Sequence, residues 1–245
     1  MESISVSSWI IVAKYVGAAL AVGIAAIGSA LGEGYIALKA SESITRQPEA
    51  SSEIVRTMLI TQAVAETAGI FGLLISIILI FVARSEGGIA FLVSLVAAGF
   101  CIGLGAIGAG IGSGQAGGAA CESIGRHPRL SPSILLTTLV GQAIVQTGCI
   151  FAMVVAMLLA LTPQSSNNLD VIGAMLGAGV AMGFGAVGSD IGTGYVAKNA
   201  IWAMSRDSKI GGLLTRTMLL GQAVAITTAI YSLIVAFLLI LVKKG

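Results

Sequence analysis

The feature that most constrains this chain is a threefold internal repeat with a period of 80 residues and no gaps. The stretch "TQAVAETAGIF" (61–71) returns as "GQAIVQTGCIF" (141–151) and again as "GQAVAITTAIY" (221–231). The glycine-rich stretches "GSALGEGY" (28–35), "GAGIGSGQ" (108–115) and "GSDIGTGY" (188–195) align with the same offset. Solenoid repeats usually have shorter periods, so this repeat indicates three fused copies of one larger unit.

The composition is that of an integral membrane protein. Of the 245 residues 56% are hydrophobic and 10% are charged, and the mean hydropathy is +1.00, whereas soluble domains carry about 25% charged residues. The net charge of +2 is too small to indicate a nucleic-acid partner. The three cysteines lack zinc-finger spacing, so we expect neither a disulfide framework nor a metal site among them. The start, "MESISVSSW", has no basic segment before the first apolar run, so we expect no cleaved signal peptide.

Each repeat contains two apolar runs, and each run is longer than the roughly 20 residues that a membrane span needs. We predict an all-α membrane protein whose six long transmembrane helices form three tandem helical hairpins that assemble into a ring. The hairpins are expected at 1–85, 86–165 and 166–245. The predicted helices lie near residues 8–40, 53–83, 88–122, 133–161, 169–203 and 211–242.

The distribution of basic residues predicts the orientation of the hairpins. The loops within the hairpins and their flanks carry nine Lys and Arg residues, against four on the opposite side. The intra-hairpin loops are therefore expected in the cytoplasm and both termini outside. The nine residues are Lys39, Arg46, Arg56, Arg126, Arg129, Lys198, Arg206, Lys209 and Arg216, and the other four are Lys14, Arg84, Lys243 and Lys244.

The first helix of each repeat is rich in glycine, and several glycines are four residues apart. Small residues at that spacing allow membrane helices to approach closely, so we predict an inner row of glycine-rich helices and an outer row of bulkier ones. "GLGAIG" (103–108) and "GFGAVG" (183–188) match a dinucleotide-binding pattern. That pattern requires a preceding strand, and here it falls within membrane helices, so nucleotide binding is not expected.

One acidic residue, Glu66, lies in the middle of the second apolar run, and its repeat counterparts are Gln146 and Ile226. A charge at the bilayer centre costs about 2.5–3.5 kcal/mol on insertion scales, and intramembrane acids usually bind ions or protons. Glu33 lies equally far from the hairpin turn, so we expect both carboxyls at one depth. The counterparts of Glu33 are Ser113 and Thr193, and a hydroxyl follows each outer-helix site position, at Thr67, Thr147 and Thr227. Asp190 is a further acid in an apolar run. Two roles are open for it: a group in a vestibule of the ion path, or a second ionisable site.

At these residues the sequence resembles the c-type rotor ring subunit, or proteolipid, of F-type rotary ATP synthases. The glycine-rich inner helix, the loop Arg46–Gln47–Pro48 and the "GQAVAE"-like outer helix carry the resemblance, which covers nearly the whole chain three times. The tripled length and the loss of the acid at Gln146 and Ile226 depart from the usual single hairpin.

The resemblance implies a non-catalytic protein with no cofactor. Several chains form a ring in a lipid bilayer, for which the bacterial plasma membrane is the expected location. Glu66 exchanges Na⁺ or H⁺ with the a-subunit of the stator, and the loops around Arg46, Arg126 and Arg206 contact the central stalk. One acid in three hairpins implies a low ion-to-ATP ratio, typical of a hydrolysis-driven pump or of a synthase that needs a large ion-motive force.

The resemblance favours Na⁺ over H⁺, with Glu66, Thr67, the Val64 carbonyl and Glu33 as ligands. Sites in the family straddle adjacent hairpins, so Glu66 and Thr67 face either Ser113 of the next copy or Thr193 of another chain. Glu33 then lies against Gln146 or Ile226, and a Glu33–Gln146 pair is a possible second site beside a purely structural, protonated Glu33.

Two other functions remain open from the residues. A six-helix secondary ion transporter would use inverted repeats with broken helices, whereas these repeats are parallel and are expected to be unbroken. A non-transporting spacer in a mixed ring would not need Glu66 at all.

Overall fold

A computed structural model describes residues 6–241 of the chain, apart from the side chain of Ser208. Within this range the structure is helical, with three short 3₁₀ turns at Pro48–Ala50, Pro128–Leu130 and Ser208–Ile210. The predicted helix end at 242, Lys243 and Lys244 lie outside the described residues. The α-helices are α1 Val6–Arg46, α2 Ser51–Ile77, α3 Ile89–Arg126, α4 Ser131–Val145, α5 Thr147–Leu161, α6 Leu169–Arg206 and α7 Gly211–Leu241.

The fold confirms three tandem hairpins with six segments long and apolar enough to span a membrane. Hairpin 1 consists of α1 and α2, hairpin 2 of α3 with α4 and α5, and hairpin 3 of α6 and α7. The first helix of each hairpin is longer than predicted and ends only at its arginine. At 41 residues, α1 is about 60 Å long.

The ends of the first helices have a local cause. Gln47 and His127 precede prolines, and a residue before proline is driven out of the α region. Their backbones are accordingly extended, with φ, ψ of −138°, 75° and −139°, 76°. Asp207, which precedes serine, adopts a similar φ, ψ of −139°, 95°, so the third hairpin makes the same turn without a proline.

The helices form two rows. The inner row runs α1, α3, α6, and these three pack side by side in chain order. In the outer row α2 packs on α1 and α3, α4 and α5 pack on α3 and α6, and α7 packs on α6. Each hairpin therefore meets the next along one contact surface, and the two surfaces are called here junction 1/2 and junction 2/3.

Glycine allows the inner helices to touch through their backbones. A Cβ atom built on Gly32 would overlap the backbone of Gly110, and one on Gly112 would overlap the backbone of Asp190. The same holds for Gly114 against Gly32 and for Gly194 against Gly112. The predicted glycine-lined inner row is thus present at both junctions, since any side chain at these positions would collide with backbone.

The outer row contains two irregularities that the sequence did not predict. The end of α2 continues as a π-helix, Ile78–Val82. The second outer helix has a one-residue irregularity at Gln146, between α4 and α5, where the backbone stays in the helical region with φ, ψ of −71°, −11°. The irregularity coincides with a side-chain acceptor, because the amide of Gly148 donates to Asp190 Oδ1 at 3.0 Å.

Candidate functional site

The three intra-hairpin loops share one backbone shape. In each loop the residue after the arginine donates its amide to the carbonyl four residues earlier, at 2.9 to 3.1 Å. A 3₁₀ turn then leads directly into the next helix. The predicted stalk-contacting residues therefore lie in three equivalent turns, with Arg46, Gln47 and Pro48 in the first loop, Arg126 in the second and Arg206 in the third. The sequence changes in the second and third loops leave the shape of the turn unchanged.

A glutamine ladder crosses each junction at the depth where the "QA" motif recurs. Gln142 donates from Nε2 to the carbonyls of Thr61 at 3.1 Å and Ser113 at 3.0 Å. Gln222 repeats this pattern 80 residues later, donating to the carbonyls of Gly141 at 3.0 Å and Thr193 at 3.1 Å. Both glutamine side chains are fully buried. Each one ties an outer helix to its own inner helix and to the preceding outer helix.

At junction 1/2 four of the predicted site residues come together. Gln146 Nε2 donates to the Val64 carbonyl at 2.9 Å and to Ser113 Oγ at 3.1 Å. The Thr67 hydroxyl donates to the same Val64 carbonyl at 2.7 Å. Gln146 and Ser113 are buried, whereas Val64 and Thr67 are half-buried, so the centre of this polar cluster lies inside the chain and its rim reaches the surface.

Glu33 and Glu66 lie elsewhere, on the free side of hairpin 1. Both line one open groove of about 300 Å³ between α1 and α2, together with Ser29, Gly69 and Ile70. Glu66 is exposed and Glu33 is half-buried. The structure thus brings the two acids to one depth and leaves them at the edge of the chain.

This placement differs from the grouping of Glu66 with Thr67 and Val64 that the resemblance implies. Helical residues are about 100° apart around the axis. Val64 and Thr67 therefore share a face that turns towards hairpin 2, and Glu66 points to the other flank. Similarly, Gln146 pairs with Ser113 and not with Glu33, so a Glu33–Gln146 site does not form within one chain.

Junction 2/3 has the same ladder but a different centre. Ile226 replaces the amide, and the Thr193 hydroxyl donates to the backbone carbonyl of Asp190 at 3.0 Å. The Asp190 side chain is fully buried and accepts from the Gly148 amide at the start of α5. Thr147 is the first residue of α5, next to the irregularity at Gln146, and Thr193 lies on the neighbouring helix α6.

Sequence reasoning missed the ladder glutamines and Gly148. The glutamines were visible as a signal, because an amide within an apolar run recurs at positions 62, 142 and 222 in every copy. Gly148 also gave a signal, because its repeat counterparts are Ala68 and Thr228 and only the second copy has glycine at this position. A Cβ there would lie 2.8 Å from Asp190 Cγ, so the acid and the glycine occur together as a steric pair.

Comparison with known proteins identifies the family. The family model for the C subunit of ATP synthase matches three times, at residues 16–79, 96–159 and 176–239. The chain is 33% identical over 232 residues to the K subunit of the A-type ATP synthase of Methanocaldococcus jannaschii, and the match covers 94% of this chain and 96% of that protein.

Shorter relatives match a single hairpin. The c subunit of the ATP synthase of Thermotoga petrophila is 47% identical over 77 residues, 31% of this chain and 91% of its own length. The c subunit of the ATP synthase of Alkaliphilus oremlandii is 49% identical over 81 residues, 33% of this chain and 91% of its own length. With three consecutive family matches and a relative that runs the full length, the chain belongs to the family of ATP synthase C subunits, the non-catalytic rotor-ring proteins of ATP synthases.

Proposed function

We propose that this chain carries Na⁺ on Glu66 at a site that is completed between two neighbouring chains of a ring. The observation that carries the proposal is the repetition of one contact pattern at junctions 1/2 and 2/3. Hairpin 1 and hairpin 3 each have one further face with the residues of this pattern but no partner hairpin within the chain, and these two faces are called here the unused halves. A heterologous contact that repeats one rotation generates a ring when that rotation closes on itself. The free face of hairpin 3 in one chain can therefore contact the free face of hairpin 1 in the next chain as the hairpins contact each other within a chain.

The first unused half is on Gln62, the ladder glutamine of hairpin 1. It donates to the Glu33 carbonyl at 3.1 Å, as its counterparts donate to their own inner helices. The second acceptor of Gln142 is Thr61 and that of Gln222 is Gly141. One further step of the same operation pairs Gln62 with the carbonyl of Gly221 of the neighbouring chain.

The second unused half is a set of open glycines on the inner row. Gly34 and Gly188 have no atom within 4 Å of a built Cβ position. Their counterparts Gly114 and Gly108 pack against the inner helices beside them. The repeat operation places Gly34 against Gly192 of the neighbouring chain, so these glycines are explained as parts of an interface between chains.

The same operation supplies the missing ligands of Glu66. At junction 1/2 the outer helix of hairpin 1 presents the Val64 carbonyl and Thr67 to hairpin 2. On α7 the Thr227 hydroxyl likewise donates to the Val224 carbonyl at 2.7 Å. Glu66 and Glu33 of one chain would then face the Val224 carbonyl and Thr227 of the neighbouring chain.

This set of ligands consists of carboxylate, carbonyl and hydroxyl oxygens, which are the donors that hard cations prefer. A proton would need only the carboxylate. The polar neighbours therefore favour Na⁺ as the transported ion. Because Gln146 and Ile226 cannot ionise, one ion is carried per three hairpins, and we infer a low ion-to-ATP ratio as the ring turns against the a-subunit of the stator.

The arginine-bearing loops are the proposed contact with the central stalk. All three share one turn and lie at the same end of the hairpins, the end that carries most of the basic residues. The excess of Lys and Arg at this end favours a cytoplasmic location for it. The other end, with both termini, would then face the outside of a bacterial plasma membrane.

Carbodiimide labelling of the assembled ATP synthase complex tests the ion site. Dicyclohexylcarbodiimide reacts with a protonated carboxyl, so it should label Glu66, and added Na⁺ should slow the reaction at constant pH. Protection by raised pH but not by Na⁺ would assign H⁺ instead. The matched variant Glu66→Gln should abolish ion transport, and unchanged transport would refute the rotor role of Glu66 in favour of a spacer.

A count of the ions moved per ATP tests the stoichiometry separately. The value should be low compared with that of complexes whose rings contain one acid in every hairpin. A value as high as in those complexes would contradict the assignment of one working acid per chain, even if Glu66 is labelled.

A further inference from the structure

Junction 1/2 contains the counterparts of the ligands proposed for Glu66, and a neutral amide occupies their centre. The Val64 carbonyl corresponds to that of Val224, Thr67 to Thr227, and Ser113 to Glu33. Unlike the Glu66 groove, junction 1/2 is complete within one chain. Its geometry is therefore observed directly, and no neighbouring chain is needed to describe it.

The amide group of Gln146 makes the contacts that a bound cation would make. Its Nε2 lies 2.9 Å from the Val64 carbonyl oxygen and 3.1 Å from Ser113 Oγ. An amide nitrogen carries hydrogens and accepts nothing, so it satisfies oxygen acceptors without bringing a charge into the membrane. Its Oε1 is buried and has no hydrogen-bond partner among the described residues, which leaves one potential ligand oxygen unused at this place.

Junction 2/3 has lost the corresponding cluster. Ile226 offers no polar side-chain atom there, so the cluster has no central group, although Thr147 and Thr193, the counterparts of Thr67 and Ser113, keep their hydroxyls. The backbone beside it is also altered, because the Gly148 amide donates to the Asp190 side chain. Of the two junctions within the chain, junction 1/2 therefore keeps the oxygen atoms of the site gathered around a central polar group while lacking its acid.

We propose that junction 1/2 is a dormant monovalent-cation site that the Gln146 amide holds closed, and that a single change to glutamate opens it. The inference rests on the function proposed for Glu66. Glutamate has the shape of glutamine but puts an oxygen where Nε2 lies. That oxygen would face the Val64 carbonyl oxygen, which lies 2.9 Å from Nε2, and since neither oxygen carries a hydrogen the pair needs a proton or a cation between them. The Ser113 hydroxyl can donate its own hydrogen, so the Val64 carbonyl is the contact that requires an ion.

Moving the acid from one junction to the other tests the proposal in the assembled ATP synthase complex. The variants are Glu66→Gln alone, Glu66→Gln with Gln146→Glu, and Glu66→Gln with Ile226→Glu as the matched control. All three are compared for ATP-driven Na⁺ transport and for carbodiimide labelling mapped by mass spectrometry. We expect Glu66→Gln to abolish transport and the added Gln146→Glu to restore it.

The restored chain should take up label at position 146, and Na⁺ should slow that labelling. The ion-to-ATP ratio should equal that of the unchanged protein, because there is again one carboxyl per chain at the outer-helix site positions. The control with Ile226→Glu should remain inactive and without Na⁺-protected label. With Glu66 retained, Gln146→Glu should raise the ratio about two-fold, since each chain then has a carboxyl at two of its three outer-helix site positions.

The outcomes separate the two proposals. If Glu66→Gln leaves transport intact, the proposed function itself fails. If Glu66→Gln abolishes transport but Gln146→Glu neither restores it nor gives Na⁺-protected label, the dormant site is refuted and the role of Glu66 stands. A Gln146→Glu chain that fails to assemble even with Glu66 present also overturns the proposal, because a junction with these ligands must accept the acid.

Discussion

Junctions 1/2 and 2/3 share their backbone contacts and differ in their centres. Both are tied by a ladder glutamine that donates to two carbonyls, and both bring glycine backbones into contact. At one centre an amide bridges two oxygens, and at the other an isoleucine replaces the amide and the junction contains a buried acid that accepts from a backbone amide. The contacts that pack one hairpin against the next are therefore independent of the residues that would hold an ion.

The largest effect on stability should come from the glycine backbone contacts that both junctions share. A Cβ at Gly32 would lie 2.9 Å from the carbonyl carbon of Gly110, and one at Gly112 would lie 3.0 Å from that of Asp190. Gly32→Val and Gly112→Val should therefore each destabilise the chain by more than about 4 kcal/mol, because neither backbone can move aside.

Thermal unfolding in detergent measures this effect. The control is Gly173→Val, at an open position whose counterpart is Val93, and it should change stability by less than about 1 kcal/mol. A large difference between the first two variants would show that the two junctions are not packed alike.

The next effect concerns the pair that distinguishes junction 2/3. Gly148→Ala puts a Cβ 2.8 Å from Asp190 Cγ and should cost about 1–3 kcal/mol by overpacking. Adding Asp190→Gly gives junction 2/3 the Ala–Gly pair that junction 1/2 has at Ala68 and Gly110. The double variant should recover most of the loss, because the amide of residue 148 can then rejoin a regular helix.

A double-mutant cycle on stability, with hydrogen exchange at the residue 148 amide, measures this coupling. Additive losses would show that the irregularity at Gln146 does not depend on Asp190.

A smaller effect is expected on the ladder. Gln142→Leu and Gln222→Leu each remove two buried hydrogen bonds between helices and should each cost about 1–2 kcal/mol. Gln62→Leu removes one described bond, so it should cost less in an isolated chain. In the assembled ring all three should cost the same, because Gln62 then has its second acceptor. Ring dissociation and single-chain unfolding distinguish these cases, and a Gln62 effect that does not grow on assembly would contradict the proposed closure.

The weakest effect belongs to a contact that distinguishes junction 2/3 near the loops. Trp202 Nε1 donates to Glu122 Oε2 at 3.1 Å, between α6 and α3. Trp202→Phe should cost about 0.5–1.5 kcal/mol, the usual net value of one hydrogen bond. Glu122→Gln keeps an acceptor for Trp202 but removes the charge that pairs with Arg126, and it should cost less, about 0–1 kcal/mol, the usual value of an ion pair near the surface. An equal loss of unfolding free energy in both variants would assign the effect to charge instead.

Much of this molecule could be predicted because the repeat has no gaps. The hairpins, the glycine contacts and the common depth of Glu33 and Glu66 all follow from periodicity along single helices. The irregularity at Gln146 could not be predicted, since Asp190, the acceptor for the amide of Gly148, is on another helix 42 residues away. The predicted lengths of the first helices were too short, because their last turns are polar and yet remain helical up to the arginine before each loop.

From the amino-acid sequence it follows that the unit is a membrane hairpin, that it occurs three times, and that its intramembrane acid survives once. These are properties of composition and period, and they need no knowledge of which helix lies beside which. The tertiary structure was needed to show that Val64 and Thr67 of hairpin 1 contact the site of Gln146 in hairpin 2, while Glu66 turns to the chain edge. The reason is geometric: residues one or two apart on a helix face different neighbours, and the order of the hairpins in space selects which neighbour each face meets.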